Sequence, residues 1–442
     1  MKKIHYLIVL VGILLGGSLL SFKLPSIGSD RNIQNVKQSI FENTILISNL
    51  DVDNVYLYLV FPSGEAANPY DEGLAHYVEH LAWLSAFGET KVDHSSGWTN
   101  RFSTGYWRKT KSKEMYSALM ALLSVTAPFT VDTKFAQTER NIILREYEYR
   151  VAERPLYSVS RGMDKIIYGN GTLSRSVIGE PSIIAKYSSG LASDLHRQSH
   201  IVQQATLLVY GNVTKAQLKG VLGSLPIQED FQHPLDPTAT EDWVEEGFVT
   251  DRVSISQADL SEYVFLYRKL VPLVSCDTPV RCAMVAQIVK NALDSALPGG
   301  LAGPLRFDQF VARSFSFHID LIKNHYIEVS FTAHPDNGVS LEALETEFRS
   351  TLETTLESGL TQATFERVKS RLTGQLKSVL DRDRPAYNRD LILDQLMAGK
   401  PTFSLADQMS AVEEVQLEDV NQFLKSLLAK GRETTRLVSA EG

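Results

Sequence analysis

The pattern of apolar and polar positions divides the chain before any chemistry is considered. Residues 6–22 (YLIVLVGILLGGSLLSF) carry no charge and follow Lys2-Lys3. At about 1.5 Å per residue, this run is near the lower limit of about 17 residues for a membrane-spanning helix. It reads as an export signal or signal anchor over 1–23, with the lysines kept on the cytoplasmic side and the rest exported. No Ala-x-Ala follows it, so an uncleaved anchor is the favoured form. The expected location is the periplasmic side of a bacterial inner membrane. A polar, turn-rich tether follows over 24–39.

Beyond the tether, β-branched and aromatic runs at 44–49 and 54–61 predict strands. Helical periodicity predicts helices over 71–86, 113–126 and 132–152, and 206–210 reads as a late strand. Residues 226–250 hold Pro226, Pro234 and Pro237 among acidic residues and lack a sustained period, which marks a linker. The order then recurs: strands near 263–267, 315–320 and 326–331, and helices over 282–297, 341–358 and 364–380. This recurrence predicts an α+β chain of two related domains, 40–225 and 251–435. Each is expected to be a mostly antiparallel sheet packed with helices, the two facing each other across a cleft. Residues 436–442 are left as a tail.

Composition narrows the partners. The 442 residues are 43% apolar and 22% charged, as in an ordinary globular protein. A formal net charge of -8 argues against a general phosphate-backbone binder, so no nucleic-acid partner is expected. Cys276 and Cys282 are the only cysteines. In an oxidising compartment they read equally as a short-loop disulfide or as two thiols.

The candidate chemistry lies in Gly73-Leu74-Ala75-His76-Tyr77-Val78-Glu79-His80. On a helix His76 and His80 share a face and can offer two imidazoles to one ion. Glu79 stands beside them without needing to bind. This is the H-x-x-E-H order, the reverse of H-E-x-x-H. A catalytic zinc site needs a third protein ligand and an open fourth position. Glu139 and Glu146, two turns apart on the 132–152 helix, are the candidates.

At these residues the chain resembles the pitrilysin and insulysin family of inverted-motif zinc peptidases, which includes the mitochondrial processing peptidases. It is closest in form to short bacterial members. The resemblance is strong over 40–225 and rests mostly on element order over 250–435. It implies one zinc ion per chain, with His76, His80 and Glu146 as ligands and Glu139 as an accessory acid behind them. Glu79 becomes the general base of peptide-bond hydrolysis, acting on a peptide held extended along a sheet edge. The family's edge motif has a degraded counterpart in Asn100-Arg101-Phe102-Ser103-Thr104-Gly105-Tyr106, which makes Asn100 a substrate contact. The family's Arg and Tyr of the second domain are replaced here by Phe310 and Phe317. A related subunit is therefore expected to supply them, with this chain as the zinc-bearing member of a heterodimer. A catalytically silent scaffold subunit is the rival. A module with a merely structural zinc is disfavoured, since such sites are normally closed by four protein ligands. His196 and His200 read as surface or packing residues, and Trp83, Trp98 and Trp107 as core.

Overall fold

The computed structural model describes residues 33–36, 40–88, 94–129, 132–152, 154–226, 235, 243–257, 260–273, 277–297 and 299–440. The expected leader, most of the tether, much of the linker and Cys276 lie outside them. Cys282 is buried and disulfide-bonded. Among the described residues no helix is long and apolar enough to cross a membrane.

The first sheet contains β1 (Ile33–Asn35), β2 (Asn43–Ser48), β3 (Val55–Phe61), β4 (Ser95–Thr99), β5 (Thr104–Thr110) and β6 (Thr206–Gly211), in the order β1-β2-β6-β3-β5-β4. Only the β2–β6 pair is parallel. β3 is central, and both of its faces are covered. Val55, Leu57, Leu59 and Phe61 enter one core, while Tyr58 and Val60 enter a second on the opposite face. That explains its unbroken apolar run, since a strand buried on both sides has no reason to alternate.

The second sheet contains β7 (Val249–Gln257), β8 (Val264–Pro272), β9 (Ala312–Ile322), β10 (Tyr326–Pro335) and β11 (Arg432–Ala440), in the order β7-β11-β8-β10-β9. Here alternation is clear. Ile327, Val329, Phe331 and Ala333 of β10 are buried, while Glu328, Ser330 and Thr332 are only half-buried. Two boundaries differ from the sequence reading. Ile33–Asn35 of the expected tether pairs with β2 as an edge strand. Residues 436–440 of the expected tail continue β11, which lies between β7 and β8 and sends Leu437 into the second core.

Helices α1 (Leu74–Phe87), α2 (Met115–Leu123), α3 (Thr133–Ala152), α4 (Tyr157–Tyr168) and α5 (Ser189–Ser199) accompany the first sheet. In the second half come α6 (Pro279–Leu293), α7 (Leu341–Ser358), α8 (Gln362–Arg382) and α9 (Arg384–Met397). Helix α9 joins the halves: Ile392 packs with Tyr58, Val60 and Leu208, and Arg389 lies 4.7 Å over the Tyr210 ring. A charged knot makes the other join. Asp164 of α4 accepts from Arg101 (3.0 Å), Arg161 (3.3 Å) and Arg268 of β8 (2.6 Å), while the Tyr168 hydroxyl donates to Glu328 of β10. A polar cavity of about 420 Å³ opens beside it, lined by Arg101, Ser160, His318 and Ser330 among others.

Candidate metal centre

Helix α1 is pinned where it begins. Gly73 has φ +83°, and a Cβ there would lie 2.5 Å from Gly179 and 2.4 Å from the Tyr187 hydroxyl. Only glycine fits both the turn and the crossing chain. The helix then runs with Leu74, Ala75, Tyr77, Val78 and Leu81 buried in the first core. That burial leaves His76 and His80 turned towards α3, their rings 4.7 Å apart and nearly perpendicular.

Helix α3 supplies two carboxylates to this face. Glu146 lies 3.8 Å from His76 Nε2 through one oxygen and 3.9 Å from His80 Nε2 through the other. Ligand atoms of His76, His80 and Glu146 fall within 4.8 Å of one another. Two bonds of about 2.0–2.2 Å to a shared ion span up to about 4.4 Å, so a small inward adjustment brings all three within reach. Two imidazole nitrogens and one carboxylate oxygen suit zinc chemically. His76 is buried with Nδ1 unpartnered, and burial, with His80 and Arg150 nearby, holds its pKa well below the ordinary value. It is thus neutral, the form that binds metal. Glu139 serves the other side of His80, 2.9 Å from Nδ1. A carboxylate there fixes the tautomer and aims Nε2 at the site. Burial opposes the charged form of His80, but Glu139, Glu79 and Glu146 together raise its pKa.

Glu79 stands 3.9 Å from His76 Nε2 and is not one of the three clustered ligands. Its carboxylate is roofed by β4: Thr99 Oγ1 donates to it at 3.4 Å, and a Cβ on Gly97 would lie 2.4 Å from Oε1. Burial pushes its pKa up to about 7, with Glu146 adding to the rise and His80 opposing it. A carboxyl so poised can accept and return a proton near neutrality.

The remaining candidates divide. Asn100 turns the β4–β5 hairpin: its Oδ1 accepts from the Phe102 and Ser103 N–H groups at 2.8 and 2.9 Å. Such a turn explains an asparagine at that position as well as the family motif does. Phe317 is fully buried in the second core, so the register that set it at a substrate position is displaced; Phe310 is 60% exposed. His196 and His200 are packing residues, not surface ones. His200 Nε2 is 2.8 Å from the Tyr106 hydroxyl, and burial lowers His196 to about 4. Trp83 stacks on Tyr106 in the first core, whereas Trp98 and Trp107 pack on the opposite face of the sheet. Sequence reasoning missed Gly97 and Thr99 over Glu79, and it missed Glu65. The last is a wholly buried carboxyl facing the Gly73 N–H where α1 begins, raised to about 8 by burial.

No family model matches the chain. Among curated proteins, the rat (Rattus norvegicus) mitochondrial-processing peptidase subunit beta is 24% identical over 170 residues, 36% of this chain. The matched stretch spans 35% of that relative's length. Among solved structures, the periplasmic protease PqqL from Escherichia coli superposes with a TM-score of 0.74 at 14% identity, covering 94% of this chain and 48% of that one. The peptidase M16 inactive domain from Pseudomonas fluorescens superposes with a TM-score of 0.73 at 14% identity, covering 93% and 98%. Motif, sequence likeness and architecture agree: the chain resembles the pitrilysin-type (M16) peptidases and shares their two-sheet α+β fold.

Proposed function

We propose that the chain is an exported zinc-dependent endopeptidase that cleaves peptides or unfolded segments bound in extended form. The observation that carries this reading is the convergence of His76, His80 and Glu146 with Glu79 alongside and outside the ligand set. A zinc ion held by the three would acidify water and polarise a carbonyl. The chain's own residues do the rest. Glu79 takes a proton from the attacking water at its carboxylate and returns it to the leaving amine. Glu139 keeps His80 aimed. Among the described residues β4 is the last strand of its sheet, beside Glu79, and an extended peptide would add along its outer edge.

Location and assembly belong to the same proposal. The charge-free run at 6–22 and the likeness to a periplasmic protease support export with an N-terminal anchor. This chain covers about half of that protease, which fits a zinc-bearing subunit completed by a related partner carrying the Arg and Tyr contacts. One observation favours the rival, a silent scaffold subunit: an inactive domain shares the fold. Against it, both histidines and both carboxylates of the motif are present and adjacent here. Cleavage of an unfolded peptide by the chain alone, with its partner, and after chelation separates the readings. Zinc-dependent cleavage that needs the partner supports the heterodimer. Full activity of the isolated chain removes it, and inactivity under every condition supports the scaffold.

A further inference from the structure

The strand register brings two distant parts of the chain to one end of the first sheet. Ile33 pairs with Ile47, Ile47 with Tyr210, Tyr210 with Tyr56, and Tyr56 with Lys109. Ile33 therefore lies in the same row as Lys109, four strand spacings or about 19 Å across the sheet. Ten residues separate Ile33 from the end of the charge-free run at Phe22. Even fully extended, they span at most about 36 Å. Any membrane holding residues 6–22 must lie within that reach of this end.

The same end is locally basic in an acidic chain. Arg108, Lys109, Lys111 and Lys113 follow one another along and beyond β5. The Ser112 hydroxyl donates to the Asn212 carbonyl, and Asn212 N–H donates to the Asn54 carbonyl at 3.1 Å, which gathers Lys215 and the β2–β3 turn into the same surface. Five cations (Arg108, Lys109, Lys111, Lys113, Lys215) here face three acids (Asp51, Asp53, Glu114), a local balance of +2 where the whole chain carries -8. Lys113 is 82% exposed. A shallow groove of about 510 Å³ runs between His94, Arg108, Lys111 and Ser117. At the tip of the β2–β3 turn stands Leu50, 59% exposed, and Tyr116 in the first turn of α2, just after Lys113, is 43% exposed. Cations around an exposed leucine and tyrosine match a headgroup layer, where charges meet phosphodiesters and apolar tips enter the acyl boundary.

We propose that this end of the first domain docks on an anionic lipid bilayer, with Lys109, Lys111 and Lys113 on the headgroups and Leu50 at the acyl boundary. The proposal rests on the anchor reading of residues 6–22. It also gives the centre an orientation. Helix α1 runs from the ligands to this surface, where Arg108 lies 5.7 Å over the Phe87 ring. His80 is seven residues, about 10 Å, from Phe87. Docking holds the centre close to the membrane, facing polypeptide at the bilayer rather than in bulk solution.

The test uses the full chain in nanodiscs of phosphatidylglycerol or of phosphatidylcholine, followed by hydrogen–deuterium exchange. The expected result is slower exchange over 49–54 and 108–117 in phosphatidylglycerol discs only. High salt should abolish it, as should the triple variant Lys109→Glu, Lys111→Glu, Lys113→Glu, whose zinc content should match wild type and so report a folded chain. Equal exchange in both lipids, or protection that survives charge reversal, overturns the proposal. If the chain enters neither disc, the anchor reading fails and co-sedimentation with phosphatidylglycerol vesicles decides the surface. Binding weakened on the order of 10²-fold by the triple variant upholds it, and no binding overturns it.

Discussion

Glu139 and Glu146 lie two turns apart on one helix yet attend to opposite nitrogens of His80. That both carboxylates share one face of α3 was legible in the sequence, because spacing within a helix fixes which side chains lie together. Which carboxylate binds and which supports was not, since spacing alone allows either. Glu139→Gln should lower zinc affinity by about 10–100-fold while the fold persists, measured by competition with a chelator; an unchanged affinity would show that His80 is aimed by something else. Gly97, Thr99 and Asn100 show the opposite case. The resemblance to the family's edge motif singled out Asn100, but hairpin pairing turns its Oδ1 into the turn and sets Gly97 and Thr99 over Glu79 instead. A cross-strand contact of this kind has no local spacing to betray it. Phe317 could have been placed better: in Phe315-Ser316-Phe317-His318 of β9, period-two alternation sends Phe317 to the core. Phe317→Ala should cost about 3–5 kcal/mol of stability in denaturant titration; a variant of wild-type stability would contradict its burial.

Among the elements, α1 depends on what happens at its first turn. Glu65, wholly buried, faces the Gly73 N–H and accepts from Asn68 at 3.1 Å. Its pKa is raised from 4.5 to about 8 by burial, so the folded chain holds a proton that the unfolded chain releases. The sign follows from linkage. The unfolded state binds fewer protons between these values, so this group's contribution to stability is lost as pH rises from about 4.5 to about 8. Thermal melts should show Tm falling over that range, and Glu65→Gln should flatten the fall. An equal slope in both proteins would mean that Glu65 is solvated and ordinary. The long helices and the two-sided β3 were readable because their patterns are strong and local. The last strand was not: its partners β7 and β8 lie far back in sequence, and it is centred by topology, not by its own residues.

At the scale of the whole molecule, two sheets are held together by α9 and by a carboxylate shared among three arginines. Two related halves could be read from element order, but the joint could not, because Arg268 of the second half meets Asp164 of the first across a separation of 104 residues. Asp164→Asn leaves the buried Arg161 and the half-buried Arg101 and Arg268 short of their partner and should cost on the order of 3 kcal/mol, with the domains losing cooperativity in denaturant. A loss below about 0.5 kcal/mol would mean that α9 alone holds the halves. The activity proposed for the whole molecule turns on the His76–His80–Glu146 centre. Its most direct test is zinc content and peptide cleavage measured on the same preparations of wild type and Glu79→Gln, each with its partner subunit. The prediction is one zinc per chain in both, with cleavage lower in the variant by about 10²–10⁴-fold. A wild-type chain that holds no zinc, or a zinc-loaded variant that cleaves as wild type does, would contradict it.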